Sequence, residues 1–450
     1  MKKSKYIKLL INYLLYHKYY RKTRRLLSKK NFVSIEDIIK YQFDRLKQII
    51  EYSYRNVPYY RELFTNVNFH PDDFKSIEDI KRIPYLTKNM VRENQDKLLS
   101  QVFPKKYLKV TETGGTTGLP MAFLMDDRTT SIIEMAYLTD MWKKVGYRRY
   151  DKCIILKEDT VEKIVVGKKY WKMNYITNWL TMSSFHLNSD TFQLFYNKIV
   201  SFKPKFIMAF PSNAYLIARY IKEKNLPNIP SLKAILCGSE NIYDWQRKYM
   251  EEVFKARVFS HYGHSEKCVL AAECSDPRLY EFYPQYGYAE LINEKDEWCS
   301  EEDEKGEIVA TGFNNYVSPF IRYKTDDIGI FTKKHSHENP NWFTIKSIEG
   351  RKQDYIIDKD NTPKTSIHID RPFWKIRDKI YAYQYIQNIP GKVEVNVHSK
   401  DKLNDDQIAE IKKIFLETYF KFDIEVNQVD DIPRTKGGKF RYLVQNIKDF

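Results

Sequence analysis

The middle of the chain alternates short apolar runs with amphipathic segments. Four apolar runs predict buried strands: Cys153–Leu156, Phe206–Phe210, Ala234–Cys237 and Val258–Ser260. Two segments between the last three have helical periodicity: Ser212–Lys224 and Tyr243–Phe254. A β–α–β–α–β order requires right-handed crossovers. The pattern therefore predicts a parallel sheet with helices packed on it.

The flanking regions have different patterns. Residues 31–100 are predicted to be mainly helical, with helix starts at Ser34, Ser76 and Thr87. Residues 284–348 favour strands, and Lys305-Gly306 predicts a hairpin or a strand-entry turn before Glu307–Ala310. Beyond Gly350, three extended runs accompany one helix: Tyr355–Ile357, Val393–Val397, Phe422–Val426 and Asp405–Phe420.

These patterns predict an α/β protein with two domains and an N-terminal extension. Residues 1–30 form a basic segment, 31–349 a large domain with a parallel-sheet core and a β-rich subdomain, and 350–450 a small, mobile α+β domain. A length of 450 residues with 42% hydrophobic residues can supply cores for more than one domain.

The positive charge is concentrated at the start of the chain. The formal net charge is +16, and the first thirty residues contain eleven Lys or Arg and no acid. Interleaved Tyr, Leu and Ile allow a helix packed on its own domain, or a helix lying on an anionic membrane. A nucleic-acid contact is not expected, because no pattern of a nucleic-acid-binding module accompanies the charge.

No apolar run is long enough for a membrane span, and no signal peptide is evident, so we expect a cytoplasmic protein, with peripheral attachment to the inner membrane face as an alternative. Five cysteines indicate free thiols in a reducing compartment. Cys268, Cys274 and the nearby histidines do not have the spacing of a structural zinc site, so zinc is not expected.

A glycine- and threonine-rich run, Thr111–Pro120, reads TETGGTTGLP. It follows a predicted strand at Tyr107–Val110 and precedes a predicted helix over 127–145. Glycines allow close backbone approach to an anion, and threonine hydroxyls can donate to phosphate oxygens. The run predicts a phosphate-binding loop, although a polar turn would also need its glycines. It is not a P-loop, because no lysine follows Gly118.

Further motifs follow in a fixed order: Gly238-Ser239-Glu240, Tyr262-Gly263-His264-Ser265-Glu266, Tyr323-Lys324-Thr325-Asp326-Asp327, Gly350-Arg351 and Pro433-Arg434-Thr435-Lys436-Gly437-Gly438-Lys439. Together with the loop, this set resembles the adenylate-forming superfamily, over roughly residues 50–445. The chain is most similar to the phenylacetate–CoA ligase branch, and within it to members encoded in clusters for capsular or other surface polysaccharides.

The resemblance implies ATP-dependent activation of a carboxylic acid as an acyl-adenylate, with Mg²⁺. It implies that Glu266 holds Mg²⁺, that Asp327 accepts the ribose hydroxyls, and that Lys439 and Thr116 assist the first step. It also implies a larger ATP-binding set: Thr113, Gly114, Gly115, Thr116, Thr117, Gly118, Gly238, Ser239, Glu240, Tyr262, Gly263, Ser265, Asp327 and Arg351. Glu240 could instead interact with the N-terminus of a helix. The role of His264 is open, and Asp326 replaces a common glycine.

Two departures from the family pattern concern the second half-reaction: Gln353 replaces a usual acid, and the segment Asp358–Pro363 lacks a usual glycine. The acceptor could be a thiol or an amine, including a sugar amine, with CoA as one candidate. Three hypotheses therefore remain: an adenylating ligase with a thiol or amine acceptor, a full acyl-CoA synthetase, and an inactive nucleotide-binding scaffold of a membrane-associated assembly. The identity of the acid and the oligomeric state are not encoded in these motifs.

Overall fold

The computed structural model shows a mixed α/β protein with a large central sheet and a separate C-terminal sheet. The structure describes residues 18–28, 32, 34–103, 108–112, 121–156, 170–187, 190–242, 244–274, 278–351, 355–361, 363–365, 371–373, 379–419, 421–433 and 441–447. The α/β fold with a small C-terminal unit is confirmed.

Among the described residues, a twelve-stranded sheet forms the centre of the large domain. A separate antiparallel pair, β1 (Lys109–Glu112) and β2 (Ala122–Met125), brackets the glycine-rich run. The sheet strands are β3 (Cys153–Leu156), β4 (Trp171–Asn174), β5 (Trp179–Met182), β6 (Phe206–Ala209), β7 (Ala234–Cys237), β8 (Arg257–Gly263), β9 (Leu270–Glu273), β10 (Tyr280–Phe282), β11 (Gly287–Ile292), β12 (Lys305–Gly312), β13 (Tyr323–Phe331) and β14 (Thr344–Arg351). Their spatial order is β11-β12-β13-β14-β10-β9-β8-β7-β6-β3-β5-β4.

The parallel half of this sheet runs from β8 through β7, β6 and β3 to β5. β6 and β7 are buried at every position, as expected for strands covered on both faces. The crossover helices are α6 (Phe192–Phe202), α7 (Pro211–Glu223) and α8 (Asp244–Phe254). The predicted parallel order is confirmed, and β3 and β7 have the predicted bounds.

The other half of the sheet is antiparallel and contains β9 to β14. Lys305 and Gly306 are the first residues of β12, so the hairpin alternative for this pair is wrong. Lys305 pairs with Ile330 and Gly306 with Gly329, because β12 begins alongside the end of β13. The pair is thus a strand entry.

Helices cover the start of the large domain: α1 (residues 18–28), α2 (Ile35–Asn56), α3 (Pro58–Asn66), α4 (Lys88–Glu93) and α5 (Asp127–Lys143). Ser34 caps α2 by accepting a hydrogen bond from Asp37 N, and Thr87 caps α4 by accepting one from Met90 N. After Ser76 the chain forms a 3₁₀-helix, Ile77–Arg82, in which the Asp79 carboxylate accepts from Ser76 N. Within residues 34–100, helices account for most of the described positions.

The described part of the basic segment packs on the large domain. In α1, Tyr20 and Thr23 are buried, and Leu27 contacts a core cluster formed with α5 and the sheet. Arg24 donates to Asp140 of α5 at 2.8 Å. Lys18, Arg21, Lys22 and Arg25 are exposed at helical spacing on the other side. One face of α1 is therefore structural and the opposite face basic.

The C-terminal unit contains a four-stranded sheet in the order β19-β18-β17-β20 and one α-helix. Its elements are β15 (Tyr355–Ile357), β16 (Pro363–Thr365), β17 (Ile380–Ile389), β18 (Lys392–Ser399), α9 (Asp405–Thr418), β19 (Asp423–Gln428) and β20 (Leu443–Gln445). It contacts the crossover helices, where the Arg219 guanidinium of α7 lies 4.8 Å from the Tyr381 ring centroid and Gln246 of α8 donates to Tyr442 Oη at 3.1 Å. Its predicted mobility stays a prediction.

Candidate active site

The motif Tyr262–Glu266 begins in β8 and continues into a turn at the carboxyl end of that strand. Tyr262 and Gly263 are the last residues of β8 and pair with Ala271 and Leu270 of β9. The turn is closed by Lys267 N, which donates to His264 O at 3.0 Å. Ligands of open α/β sheets bind at the carboxyl ends of parallel strands. The fold therefore places this motif where a nucleotide site is expected.

Tyr262 connects this strand end to β13. Its hydroxyl donates to Asp327 Oδ2 at 2.7 Å, and its side chain is buried. Burial, together with the neighbouring Asp327 carboxylate, raises the pKa of Tyr262 well above its ordinary value. The hydroxyl therefore stays protonated and acts as a donor. A carboxylate has several acceptor positions, so Asp327 can accept further O–H donors.

Glu266 forms the centre of a second contact between the turn and β13. Tyr323 Oη donates to Glu266 Oε1 at 2.6 Å, and His264 Nδ1 lies 3.2 Å from Glu266 Oε2. Burial alone would raise the pKa of Glu266, but the hydrogen bond and charge of His264 and the hydrogen bond of Tyr323 lower it to about 2. The site thus contains a buried carboxylate that is ionised at neutral pH.

A β-bulge in β13 brings Asp327 to this position. Glu307 of β12 pairs with Ile328, whereas Val309 pairs with Lys324, so residues 325–327 lie opposite a single residue of β12. Asp326 in the bulge has φ +63°, a conformation that favours glycine. This conformation explains why glycine suits the position that Asp326 occupies.

The neighbouring motif, Gly238-Ser239-Glu240, follows β7. A Cβ atom at Gly238 would lie 2.6 Å from Cε1 of His261, so the position requires glycine. Ser239 has φ +68°. Glu240 Oε2 accepts from Ser212 N at 3.1 Å, and its Oε1 accepts from Ser212 Oγ at 3.1 Å. Glu240 therefore caps the start of α7.

Several predicted site residues lie outside this description. Thr113, Gly114, Gly115, Thr116, Thr117, Gly118 and Lys439 fall outside the described residues. Arg351 is described through its backbone, which pairs with Asp327 in the β13–β14 register. Ser265 lies in the turn between His264 and Glu266. Their roles stay predictions.

Two residues that contact the site were not assigned a role from the sequence. Tyr323 is the first residue of its motif, and the sequence gives His264 no definite role, yet both side chains contact Glu266 directly. The sequence signal for a role of Tyr323 was its hydroxyl, four residues before Asp327 on a predicted strand. It was insufficient because Tyr323 and Glu266 are separated by 57 positions along the chain.

Within the described part of the chain, no group of three or more His, Cys, Asp or Glu side chains could hold a metal ion on its own. All five cysteines lie in that part, are buried, and form no disulfide. A single ionised carboxylate such as Glu266 suits Mg²⁺, which often binds one or two carboxylates together with substrate phosphates and water. The residues present therefore fit a magnesium ion brought with a nucleotide.

Among the described residues, no helix has the length and apolarity needed to cross a membrane.

Comparisons with known proteins give one match to the C-terminal unit and others to most of the chain. Residues 356–446 match the family described as the CapK C-terminal domain. The chain is 25% identical to Protein CapK of Staphylococcus aureus over 437 residues, covering 96% of this chain and 93% of that protein. It is 26% identical to phenylacetate-coenzyme A ligase of Pseudomonas putida over 350 residues, covering 75% and 76% of the two chains. The structure of 2-hydroxyisobutyryl-CoA ligase in the postadenylation state superposes with a TM-score of 0.69 at 18% identity, covering 92% of this chain and 90% of that one.

Proposed function

The chain belongs to the adenylate-forming superfamily of ligases, in the phenylacetate–CoA ligase branch, and on this premise we propose that it joins a carboxylic acid to the α-phosphate of ATP. The products are an acyl-adenylate and pyrophosphate. The observation that supports this proposal best is the buried, ionised Glu266 beside the Tyr262–Asp327 pair at the carboxyl end of β8. This arrangement combines an acceptor for nucleotide hydroxyls with a carboxylate for a phosphate-bound cation.

The described residues would share the binding of ATP. Tyr262 would lie against the adenine, and Asp327 would accept the ribose hydroxyls while Tyr262 holds it in place. Glu266, oriented by Tyr323 and His264, would hold Mg²⁺. The ion would neutralise phosphate charge, which lowers the cost of bringing a second anion, the carboxylate substrate, to the α-phosphate.

The remaining parts of the site are proposed from the resemblance. Thr116 and the loop 113–118 would contact the phosphates, and Arg351 would contact the ribose or a phosphate. Lys439 would contact both the carboxylate and the α-phosphate, because a flexible ammonium group can stabilise negative charge on both as the bond forms. These contacts involve residues or side chains outside the described ones.

We propose that the acyl group then passes to a thiol or amine acceptor, in the biosynthesis of a capsular or other surface polysaccharide. The similarity to Protein CapK over 96% of the chain supports this setting. In the segment where CoA ligases carry a glycine, Lys359 Nζ pairs with Asp423 at 2.8 Å and Asp360 pairs with Lys421. Both pairs join exposed side chains within the C-terminal unit, so the choice between CoA and an amine acceptor is left to the experiment.

A full acyl-CoA synthetase is the second candidate, because the phenylacetate-coenzyme A ligase of Pseudomonas putida aligns with three quarters of the chain. Pyrophosphate release from ATP with a panel of carboxylic acids tests the first step. Stimulation by CoA supports the second candidate, and stimulation by an amino sugar supports the first. No pyrophosphate release with any acid, from protein that binds ATP, would instead indicate the inactive scaffold.

We also propose that the enzyme works in the cytoplasm, close to the inner membrane face. The exposed residues Lys18, Arg21, Lys22 and Arg25 form a basic stripe on α1, and each basic residue near an anionic leaflet contributes about 1 kcal/mol. Deletion of the segment would also remove the packing of Tyr20, so reversal of the four charges is the cleaner test. The reversed protein should lose co-sedimentation with anionic vesicles at low salt while pyrophosphate release in solution is retained. Equal co-sedimentation of both proteins would overturn the membrane contact.

A further inference from the structure

The bulge that carries Asp327 is held from outside the sheet by a lysine. Lys88, the first residue of α4, places its Nζ 2.6 Å from Asp326 Oδ2 and donates to Thr325 O at 2.9 Å. Both side chains of the pair are largely shielded from solvent, with exposed fractions of 16% for Lys88 and 21% for Asp326. An ion pair in such a position is better defined geometrically than a fully exposed one.

The bulge is also fixed by contacts with β12. Thr325 Oγ1 donates to Ile308 O at 2.7 Å and accepts from Asp327 N at 3.1 Å. Asp326 N donates to Glu307 Oε1 at 3.2 Å. These bonds satisfy the backbone and hydroxyl groups around the bulge, but the Asp326 side chain itself is fixed by Lys88.

The conformation of Asp326 makes this support necessary. Its φ of +63° is unfavourable for most residues with a Cβ atom. A glycine would adopt it without a partner. Because Asp326 directly precedes Asp327, a change of its backbone angles would move the carboxylate that Tyr262 contacts at 2.7 Å. The structure therefore links Lys88 of α4 to the position of Asp327 through this ion pair and through the hydrogen bond to Thr325 O.

We propose that Lys88 and Asp326 are a positioning pair that sets the bulge of β13 and thereby the affinity for the nucleotide. The inference rests on the proposed function, since it assigns Asp327 to the ribose hydroxyls. Lys88 acts through Asp326 and Asp327 rather than by contact with the nucleotide. Residues 86–88 are suited to this role because Leu86 pairs with Tyr323 at the start of β13.

The test is a set of full-length variants assayed for ATP binding by calorimetry and for pyrophosphate release. Lys88→Met should raise the Kd for ATP about three- to tenfold, the range for loss of one partly shielded charged contact. The KM for ATP should rise in parallel, with kcat at saturating ATP nearly retained. In the double variant, Asp326→Gly should restore ATP affinity to near the wild-type value, because glycine adopts the positive φ without the ion pair.

Lys97→Met is the matched control, since Lys97 also forms an ion pair, at 2.7 Å, but its partner Glu62 lies in α3 and both side chains are about half exposed. It should leave the Kd for ATP unchanged. An unaltered Kd in Lys88→Met would overturn the proposal. Weak binding that Asp326→Gly fails to restore would also overturn it, because the effect of Lys88 would then not act through the conformation of Asp326. Absence of ATP binding by the wild-type protein would overturn the proposed function together with this inference. ATP binding by the wild type with an unaltered Kd in Lys88→Met would overturn this inference alone.

Discussion

β7 and β8 are adjacent parallel strands, with Cys237 paired to Ser260, and the segment that follows each strand contains a glutamate. Glu266, after β8, accepts from the side chains of Tyr323 and His264. Glu240, after β7, accepts from the backbone N–H and hydroxyl of Ser212 at the start of α7. The two carboxylates follow adjacent strands of the sheet but have different partners.

The partners of each glutamate indicate whether it serves the fold or the candidate site. The partners of Glu240 belong to the crossover helix, so its charge interacts with the positive end of the α7 dipole. The partners of Glu266 are side chains from its own turn and from β13, which also carries Asp327. Glu266 is therefore coupled to the proposed nucleotide site, and Glu240 is coupled to the fold. Each prediction below tests this division.

The largest expected effect follows from Glu266→Gln. The amide keeps the size of the side chain but loses the charge that would hold Mg²⁺, so adenylate formation should fall by roughly a hundredfold or more. The Mg²⁺ concentration for half-maximal activity should also rise. Pyrophosphate release measured over a Mg²⁺ titration checks both. Glu240→Gln is the matched control and should lose less than about tenfold; equal losses in the two variants would contradict the comparison.

A second large effect is expected for Lys439, which we propose to act together with Glu266 in the first step. Lys439→Ala should reduce adenylate formation by roughly a hundredfold, the usual cost of removing one group that stabilises transition-state charge. Folding and ATP binding should be nearly retained. Exchange of pyrophosphate into ATP checks this, with Lys436→Ala as the control from the same motif. Near-wild-type exchange in Lys439→Ala would show that the β8 end works without this lysine.

The fold was more predictable from the sequence than the side-chain contacts of Glu240 and Glu266. The apolar runs of β3 and β7 gave their bounds, because strands buried on both faces have continuous apolar sequences. The antiparallel β4, which alternates intermediate and exposed positions, was not predicted. It is short and carries a polar residue at every second position, so its pattern resembles that of a loop.

The site was predictable as a set of motifs but not as a geometry. The motifs indicated Glu266 and Asp327, whereas the roles of Tyr323, His264 and Lys88 depend on contacts between distant parts of the chain. The bulge in β13 is a further example: aspartate adopts positive φ more readily than most residues, but its presence at 326 does not fix a φ of +63°. The pairing register of the strands and the sign of φ at a bulge depend on the assembled sheet, so local periodicity does not encode them.

A third prediction concerns stability and pH. The pKa of Glu266 is lowered from 4.5 to about 2 in the folded protein, so its ionised form stabilises the fold above about pH 4.5, and this contribution decreases as pH falls toward 2. Between neutral pH and about pH 3 the wild type should lose about 2 kcal/mol of unfolding free energy through this group. Urea unfolding of wild type and Glu266→Gln at both pH values checks it. An identical pH dependence of the two proteins would contradict the assignment, and Glu240→Gln provides the comparison from the other strand end.

The smallest expected effect decides the role of Glu240 itself. If Glu240 serves α7, then Glu240→Gln and Ser212→Ala should each lower the unfolding free energy by about 1 kcal/mol, the usual value of a helix cap. The double variant should lose less than the sum, because both single changes break the same contact. The Kd for ATP should be the same in Ser212→Ala as in the wild type. If Glu240 instead contacts the adenine, Glu240→Gln should weaken ATP binding while its effect on stability is absent, and the two strand ends would then share the nucleotide. Urea unfolding and ATP calorimetry on the same four proteins distinguish these results, because a cap changes the first measurement and a nucleotide contact changes the second.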